Sequence, residues 1–286
     1  MNVLSLFDGM SCGRLALDRC DIKYDNYFAS EVDKYSMKVA QKNYPNTIQL
    51  GDVTLLKSDS LPKIDLLIGG SPCQGFSFAG KQLNFEDPRS KLFFEYVRLL
   101  KETNPKYFLL ENVKMKQEYQ DVISEHLGVQ PIAIDSRLVS AQTRRRLYWT
   151  NIPNVSIPED RKIVVKDILL DENNPLFELK IPSEKRIKYI QVRIDAKQFI
   201  SRWLTKDSEK AGCLLARSWK DMKEYILKDG DNYRIMCPVE LERLQTVPDN
   251  YTDCVSETQR IKMLGNGWTV DVIAHILSHI KNDNNV

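Results

Sequence analysis

Short apolar runs alternate with amphipathic stretches through the first half of the chain. Val3 to Phe7, Tyr27 to Ser30, Ile48 to Leu50, Ile64 to Ile68 and Tyr107 to Leu110 have the length of strands. Ile64 to Ile68 and Tyr107 to Leu110 are nearly continuous in apolar residues, as expected of strands covered on both faces. Between these runs, Gly13 to Arg19 and Asp33 to Asn43 read as helices. Ser90 to Lys101 carries Leu92, Phe93, Tyr96, Val97 and Leu100 at helical spacing and predicts a crossover helix. The alternation predicts βα units feeding a parallel sheet, with Ile132 to Ile134 and Arg146 to Thr150 as two last strands in a hairpin. From Pro153 the texture changes, because Pro153, Pro158, Pro175 and Pro182 punctuate a charged stretch of weak periodicity. Order returns at Cys237, with helices predicted over Pro238 to Gln245 and Val270 to Ile280. No repeat or low-complexity segment interrupts this plan.

A length of 286 residues allows one large α/β domain or two smaller ones, and 42% apolar with 28% charged residues is ordinary for a folded globular chain. The N-terminus has no basic region ahead of its apolar run, which Asp8 breaks, so no signal peptide is read. No stretch approaches the roughly 18 apolar residues of a membrane span. Six scattered cysteines without a C-x-x-C pair predict reduced thiols in a cytoplasmic protein. With only three histidines besides, no metal site is predicted. Net charge is +2, yet residues 183–228 hold 12 basic and six acidic side chains, so +6 is concentrated in 46 residues and the remainder carries −4. Such a run reads either as a solvated face or as a surface for phosphates.

The ends of the predicted strands carry the chemistry, and ligands of open parallel sheets sit at those ends. The first runs into Phe7-Asp8-Gly9-Met10-Ser11-Cys12-Gly13, a turn that lets a ligand approach the backbone at a helix N-terminus. The second ends in Ser30-Glu31-Val32-Asp33, where Glu31 is placed to accept ribose hydroxyls. The third is followed by Gly51-Asp52-Val53, where Asp52 suits an adenine amino group. Taken singly, each carboxylate has an ordinary alternative as a helix cap or turn former. The fourth delivers Gly69-Gly70-Ser71-Pro72-Cys73-Gln74-Gly75-Phe76-Ser77, the setting of a presented nucleophile, whereas a structural role suits the other five cysteines better. The fifth ends in Glu111-Asn112-Val113, and Arg144 and Arg146 follow Gln142.

With these residues the chain resembles the C5-cytosine DNA methyltransferases. Seven blocks stand in the family's order: Phe-Asp-Gly-x-x-x-Gly (7–13), Gly-Ser-Pro-Cys-Gln-Gly-Phe-Ser (70–77), Asp-x-Arg-x-x-Leu-Phe-Phe-Glu (87–95), Glu-Asn-Val (111–113), Gln-x-Arg-x-Arg (142–146), Pro-x-Glu-x-x-Arg-Leu-Gln-x-x-Pro (238–248) and Gly-Asn-Gly-Trp-Thr-Val (265–270). The resemblance implies an α/β fold, a doubly wound Rossmann-like class I methyltransferase sheet with a small inserted target-recognition domain. The implied division is 1–154 catalytic, 155–233 recognition and 234–286 returning to the catalytic domain.

It also implies methyl transfer from S-adenosylmethionine, leaving S-adenosylhomocysteine, to C5 of a flipped-out cytosine in double-stranded DNA. Cys73 matches the nucleophile that attacks C6, Glu111 the group on the N3 and amino edge, and Arg144, with Arg146 beside it, the position that contacts base O2. The cofactor would rest on Phe7, Asp8, Gly9, Met10, Cys12, Glu31, Val32, Asp52, Val53 and Pro72, with Leu92, Asn266, Gly267 and Trp268 closing the methionine end. Gln74, Ser77, Lys81 and Arg89 belong to the matching catalytic loop. Arg217 and Lys220, in Ala216-Arg217-Ser218-Trp219-Lys220, are the candidates for DNA reading. Methylation of transfer RNA and a catalytically inactive DNA-binding accessory protein are the alternatives. The resemblance allows a cognate restriction endonuclease as partner, a bacterial or phage origin, and a monomer or weak homodimer.

Overall fold

The computed structural model describes residues 1–71, 88–197, 203–220 and 222–283, with the backbone alone described at 88–90 and 282–283. In chain order the elements are β1 (Asn2–Leu6), α1 (Cys12–Arg19), β2 (Asn26–Ser30), α2 (Lys34–Asn43), β3 (Ile48–Gln49), β4 (Leu66–Gly69), α3 (Pro88–Thr103), β5 (Tyr107–Val113), α4 (Gln117–Leu127), β6 (Ile132–Asp135) and β7 (Arg145–Thr150). Then follow α5 (Val165–Ile168), α6 (Glu184–Asp195), β8 (Ile226–Asp229), β9 (Asn232–Ile235), α7 (Pro238–Leu244), α8 (Glu257–Asn266) and α9 (Val270–Asp283). No described helix is long and apolar enough to cross a membrane.

These elements form two compact units. The first comprises 1–135, 145–158 and 270–286, and the second 136–144 and 159–269. By this division the residues from 234 to 269 group with the second unit, and the return to the first begins at Val270. A nine-residue excursion, 136–144, also leaves the first unit between β6 and β7.

The first unit is built on a seven-stranded sheet of order β3-β2-β1-β4-β5-β7-β6. Strands β1 to β5 pair in parallel, while β7 runs antiparallel to both β5 and β6. The predicted hairpin thus pairs as a hairpin. Strand order reverses between β1 and β4, which makes their carboxyl ends the switch point of the sheet. Central strands have no wet face: every residue of β4 is buried, and Phe93, Tyr96, Trp149 and Leu67 pack in one core. Fully burying each large apolar side chain of this kind contributes about 1.5–3 kcal/mol. Helix α4, not anticipated from the sequence, turns Tyr119, Ile123 and Leu127 inward at four-residue intervals, and Gly128 at φ +71° stops it. Helix α9 packs on α1, buries Val272, Ile273, Ile276 and Leu277, and ties its first turn down through an Arg19–Asp271 ion pair.

The second unit carries the β8–β9 hairpin, whose turn uses Gly230 at φ +57°. Its helix α7 buries two carboxylates completely, which is tolerable only because each is saturated with donors. Glu240 takes both guanidinium nitrogens of Arg234 at 2.7 and 2.8 Å and the amides of Leu170 and Cys237. Glu242 takes the amides of Asn250 and Thr252 and the guanidinium of Arg260 at 3.0 Å.

Candidate active site

The loop from β1 into α1 is held in an unusual backbone conformation. Phe7, Gly9 and Ser11 have φ of +58°, +60° and +64°, so left-handed residues alternate with ordinary ones. Two of the three are not glycine, and such conformations persist only where surrounding bonds enforce them. Here Asp8 N–H donates to Ser30 O at 3.2 Å, and Gly9 N–H donates to Glu31 Oε2 at 2.7 Å. Glu31 also receives the amides of Val32 and Asp33 on Oε1. Its predicted ribose-binding role therefore shares the carboxylate with a structural one that fixes the turn.

Asp8 is buried and accepts hydrogen bonds from Ser11 Oγ at 2.5 Å and Tyr27 Oη at 2.7 Å. Burial dominates over those bonds and pushes its carboxyl above the ordinary aspartate range. Tyr27, which the sequence pattern placed only in a strand, is the link to a second feature. The guanidinium of Arg14, on α1, lies 5.3, 5.2 and 4.5 Å from the rings of Tyr27, Tyr24 and Tyr44, an aromatic cage for a buried cation. Arg14 also donates to the oxygens of Tyr24, Asn46 and Thr47.

The remaining cofactor candidates divide by what they expose. Met10, Cys12 and Val53 are buried, so their side chains belong to the core and what they can offer a ligand is backbone. Val32 is 70% exposed, and Leu55, two positions past Val53 and missed from the sequence, is 78% exposed. Asp52 is exposed, with Oδ1 engaged by the Thr54 amide and hydroxyl. A Cβ built on Gly9 or Gly51 meets nothing within 4 Å among the described residues, so there is room beside the backbone at the ends of β1 and β3. Carboxylates at two strand ends, exposed apolar faces beside them and open backbone between suit a nucleoside carrying an amino acid. Leu92, on α3, is partly buried against the core.

At the carboxyl end of β5, Glu111 meets Arg146: Arg146 Nε lies 3.1 Å from Glu111 Oε1, both side chains being nearly buried. In the β5–β7 register Glu111 stands opposite Tyr148 and Val113 opposite Arg146, so the pair is diagonal on one face. Asn112, fully buried on the other face, donates to Ser71 Oγ at 3.1 Å and Ser71 O at 3.4 Å. It anchors the exit of β4, which leads toward Cys73. Gly69 lets the strands and α3 approach closely there, since a Cβ would stand 3.0 Å from Leu6 O and 3.1 Å from the Tyr96 ring and its neighbours would have to give way. Pro72, Cys73, Gln74, Ser77 and Lys81 lie outside the described residues, as does the side chain of Arg89.

Arg144 touches other groups. It is 3% exposed, and it donates to the carbonyls of Leu214, Gly265 and Gly267 at 2.7, 3.1 and 2.8 Å. The two arginines of Gln-x-Arg-x-Arg are thus unlike: Arg146 pairs with a carboxylate besides donating to Arg145 O, while Arg144 is held by three carbonyls and lies 3.3 Å from Cys213 Sγ. Asn266 is exposed, and Gly267 and Trp268 are half-buried. Arg217, Trp219 and Lys220 are exposed in and beside a short 3-10 turn over Ser218–Lys220. Of the twelve basic residues in the +6 stretch, Lys210 donates to the carbonyls of Arg137, Ser140 and Ile163 at 2.5 to 3.0 Å, which makes it a structural cation.

The doubly wound sheet with an antiparallel seventh strand and ligand-ready strand ends defines the fold class of the methyltransferases. Solved structures agree: the Entamoeba histolytica methyltransferase EhMeth superposes with a TM-score of 0.80 over 99% of this chain and 98% of its own, at 19% identity. The S. pombe Dnmt2 methyltransferase gives 0.76 over the full length of both, also at 19% identity. The family model for C-5 cytosine-specific DNA methylase matches residues 1–127 and 140–282, and the chain belongs to that family. Among relatives, Type II methyltransferase M1.ScrFI of Lactococcus lactis subsp. cremoris is 32% identical over 95% of this chain and 75% of its own length. Type II methyltransferase M.NlaX of Neisseria lactamica is 30% identical over 98% and 96%. Orphan methyltransferase M.SPRI of Bacillus phage SPR is 32% identical over 95% of this chain, which spans 61% of that enzyme.

Proposed function

We propose that the protein methylates C5 of a cytosine flipped out of double-stranded DNA, through a covalent bond between Cys73 and C6 of the base. The observation that carries this reading is the Glu111–Arg146 pair at the end of β5, next in the sheet to the strand that leads toward Cys73. S-adenosylmethionine would be held by the β1–α1 turn, Glu31, Val32 and Asp52, and when bound it supplies the electrophilic methyl group.

The chain's own residues then have defined tasks. Cytosine C5 is a poor nucleophile until the Cys73 thiolate adds to C6, which pushes an electron pair toward C5 and N3. Glu111 holds the N3 and amino edge and stabilises the charge that develops there. Arg146 neutralises Glu111 from the side, and we assign the contact to base O2 to it in place of Arg144, whose guanidinium is taken up by the carbonyls of Leu214, Gly265 and Gly267. After C5 is methylated, loss of its proton to water and departure of the thiolate from C6 restore the aromatic ring and the free enzyme. Extracting the base from the stack costs a few kcal/mol, which contacts of the loop after Cys73 and of Arg217 and Lys220 would offset.

Bisulfite sequencing of DNA from cells expressing the protein tests the proposal. Protected cytosines at one short sequence are expected. Unmodified DNA alongside methylated transfer RNA would move the substrate to RNA, and no transfer to either would favour an inactive accessory protein. A cognate endonuclease is left out of the proposal, since relatives bear both Type II and orphan names.

A further inference from the structure

The turn between β1 and α1 is gripped by β2 and the residue that follows it. Asp8 N–H donates to Ser30 O, Gly9 N–H donates to Glu31 Oε2, and from within β2 Tyr27 Oη donates to Asp8 Oδ1 at 2.7 Å. Ser11 Oγ closes on Asp8 Oδ2 at 2.5 Å, so one buried carboxylate ties the start of the turn to its end and to the neighbouring strand. Tyr27 is itself held in place. Its ring lies 5.3 Å from the guanidinium of Arg14 on α1, and Arg14 is fixed by the oxygens of Tyr24, Thr47 and Asn46 at 2.5 to 2.9 Å. The contacts run in a closed circuit from the turn along α1 to Arg14, across to Tyr27 and back to Asp8, and every member belongs to the first unit. A second, independent observation points to a ligand. A Cβ built on Gly9, at φ +60°, meets nothing within 4 Å among the described residues, although Asp8 and Ser11 are buried. The turn is therefore clamped through its side chains and open at its glycine.

We propose that Tyr27 is a positioning residue for S-adenosylmethionine, whose hydroxyl sets Asp8 and, through Asp8, the backbone of residues 7–11 that meets the cofactor. The inference rests on the proposed function, in which this turn holds the cofactor, and gives a task to a side chain outside the contacts named there. Phe7 and Ser11 stand in the left-handed region that residues with a Cβ disfavour, so the turn keeps its shape only while its clamps hold. A buried carboxylate that loses a donor shifts toward the donors it has left, and Asp8 carries the turn with it. Tyr27→Phe isolates this effect, because it keeps the ring over which Arg14 sits and deletes the bond to Asp8.

The test is a double-mutant cycle on the full-length protein, with S-adenosylhomocysteine affinity read by calorimetry. Tyr27→Phe is expected to weaken that affinity about tenfold, the scale of losing one hydrogen bond to a charged acceptor. In an Asp8→Ala background the same substitution should change it by less than about twofold, since the partner is already gone. Asp8→Asn, which keeps the shape and a neutral acceptor, gives a second background in which the effect should be intermediate. In methyl-transfer assays Tyr27→Phe should raise KM for S-adenosylmethionine more than it lowers kcat. A tenfold loss of equal size in all three backgrounds would overturn the proposal, because Tyr27 would then not act through Asp8. Wild-type affinity in Tyr27→Phe, even with a lowered melting temperature, would overturn it too and leave the bond a matter of stability alone. A wild type that does not bind S-adenosylhomocysteine would instead refute the functional reading on which it rests.

Discussion

Arg146 Nε stands 3.1 Å from Glu111 Oε1 across the antiparallel β5–β7 pair, and this contact joins the carboxylate at the end of β5 to the strand that enters the sheet backwards. Because β7 runs antiparallel, the start of β7 meets the end of β5. A parallel strand would bring its far end there instead, some six residues and about 20 Å away at roughly 3.3 Å per residue. Glu111→Gln keeps the shape and removes the charge. It is expected to lower the methyl-transfer rate by about 10²–10³, the scale of removing one preorganised electrostatic group. Arg146→Gln should do likewise, and the double variant should fall well short of the product of the two effects, because each acts through the other. Independent, multiplicative effects in single-turnover assays would show that the pair does not act as a unit.

Cys73→Ala should abolish methyl transfer while leaving S-adenosylhomocysteine binding within a few-fold of wild type. Cofactor affinity read by calorimetry, beside a tritium-transfer assay, separates the two. Residual turnover by the alanine variant would remove Cys73 as the nucleophile.

Asp8 gives a pH signature. Its carboxyl is raised by burial, so the folded state holds the proton more tightly than the unfolded chain. That contribution to stability is present below the unfolded value of 3.8 and is lost as pH rises through the shifted folded value. Asp8→Asn cannot titrate. Its melting temperature relative to wild type is therefore expected to climb as pH increases through that window and level off above it. A difference that stays constant with pH would mean that Asp8 is not desolvated.

Gly265→Ala should destabilise the fold by about 1–3 kcal/mol, the usual penalty of overpacking, because the added methyl collides with main chain that cannot turn aside. Gly9→Ala meets no neighbour within 4 Å and is penalised only by its φ of +60°, about 1–2 kcal/mol, so it should cost less than Gly265→Ala, whose added methyl meets main chain. Denaturant midpoints that reverse this order would contradict the placement of α8 against residues 215 and 216.

Neutralising Lys185, Lys188 and Lys220 together should flatten the dependence of log affinity for DNA on log salt, by about 0.9 for each phosphate that no longer meets a cation. Lys210→Met should leave that slope alone and lower stability, since its ammonium is bonded to three carbonyls. The two measurements distinguish a charge that meets DNA from one that holds the chain together.

Much of the sheet is legible in the sequence because a parallel strand buried on both faces leaves its mark in consecutive residues. Runs such as Tyr107 to Leu110 need no distant information to be recognised. Motif order located Glu31, Asp52 and Glu111 at strand ends for the same local reason. The hairpin at Gly230 and helix α4 were not predicted, although a glycine between two strand-length runs and a four-residue apolar spacing are adequate local signals for them.

The tasks of Arg144 and Arg146 were decided elsewhere. Two arginines two positions apart have identical local patterns, and alternation alone puts them on one face. Only the tertiary structure ends the 136–144 excursion with a Ser136 N–H to Arg144 O bond at 3.0 Å and begins β7 at the next residue. One guanidinium is then fixed by carbonyls 70 to 123 residues further along, and the other by a carboxylate 35 residues earlier. The burial of Glu240 and Glu242 is of the same kind, since a carboxylate reads as a surface residue until its donors are known. The sequence by itself determined what each strand delivers to the carboxyl edge of the sheet, because that depends on neighbours in the chain. Which charges meet depended on long-range bonds that desolvate one group only where another is placed to compensate it.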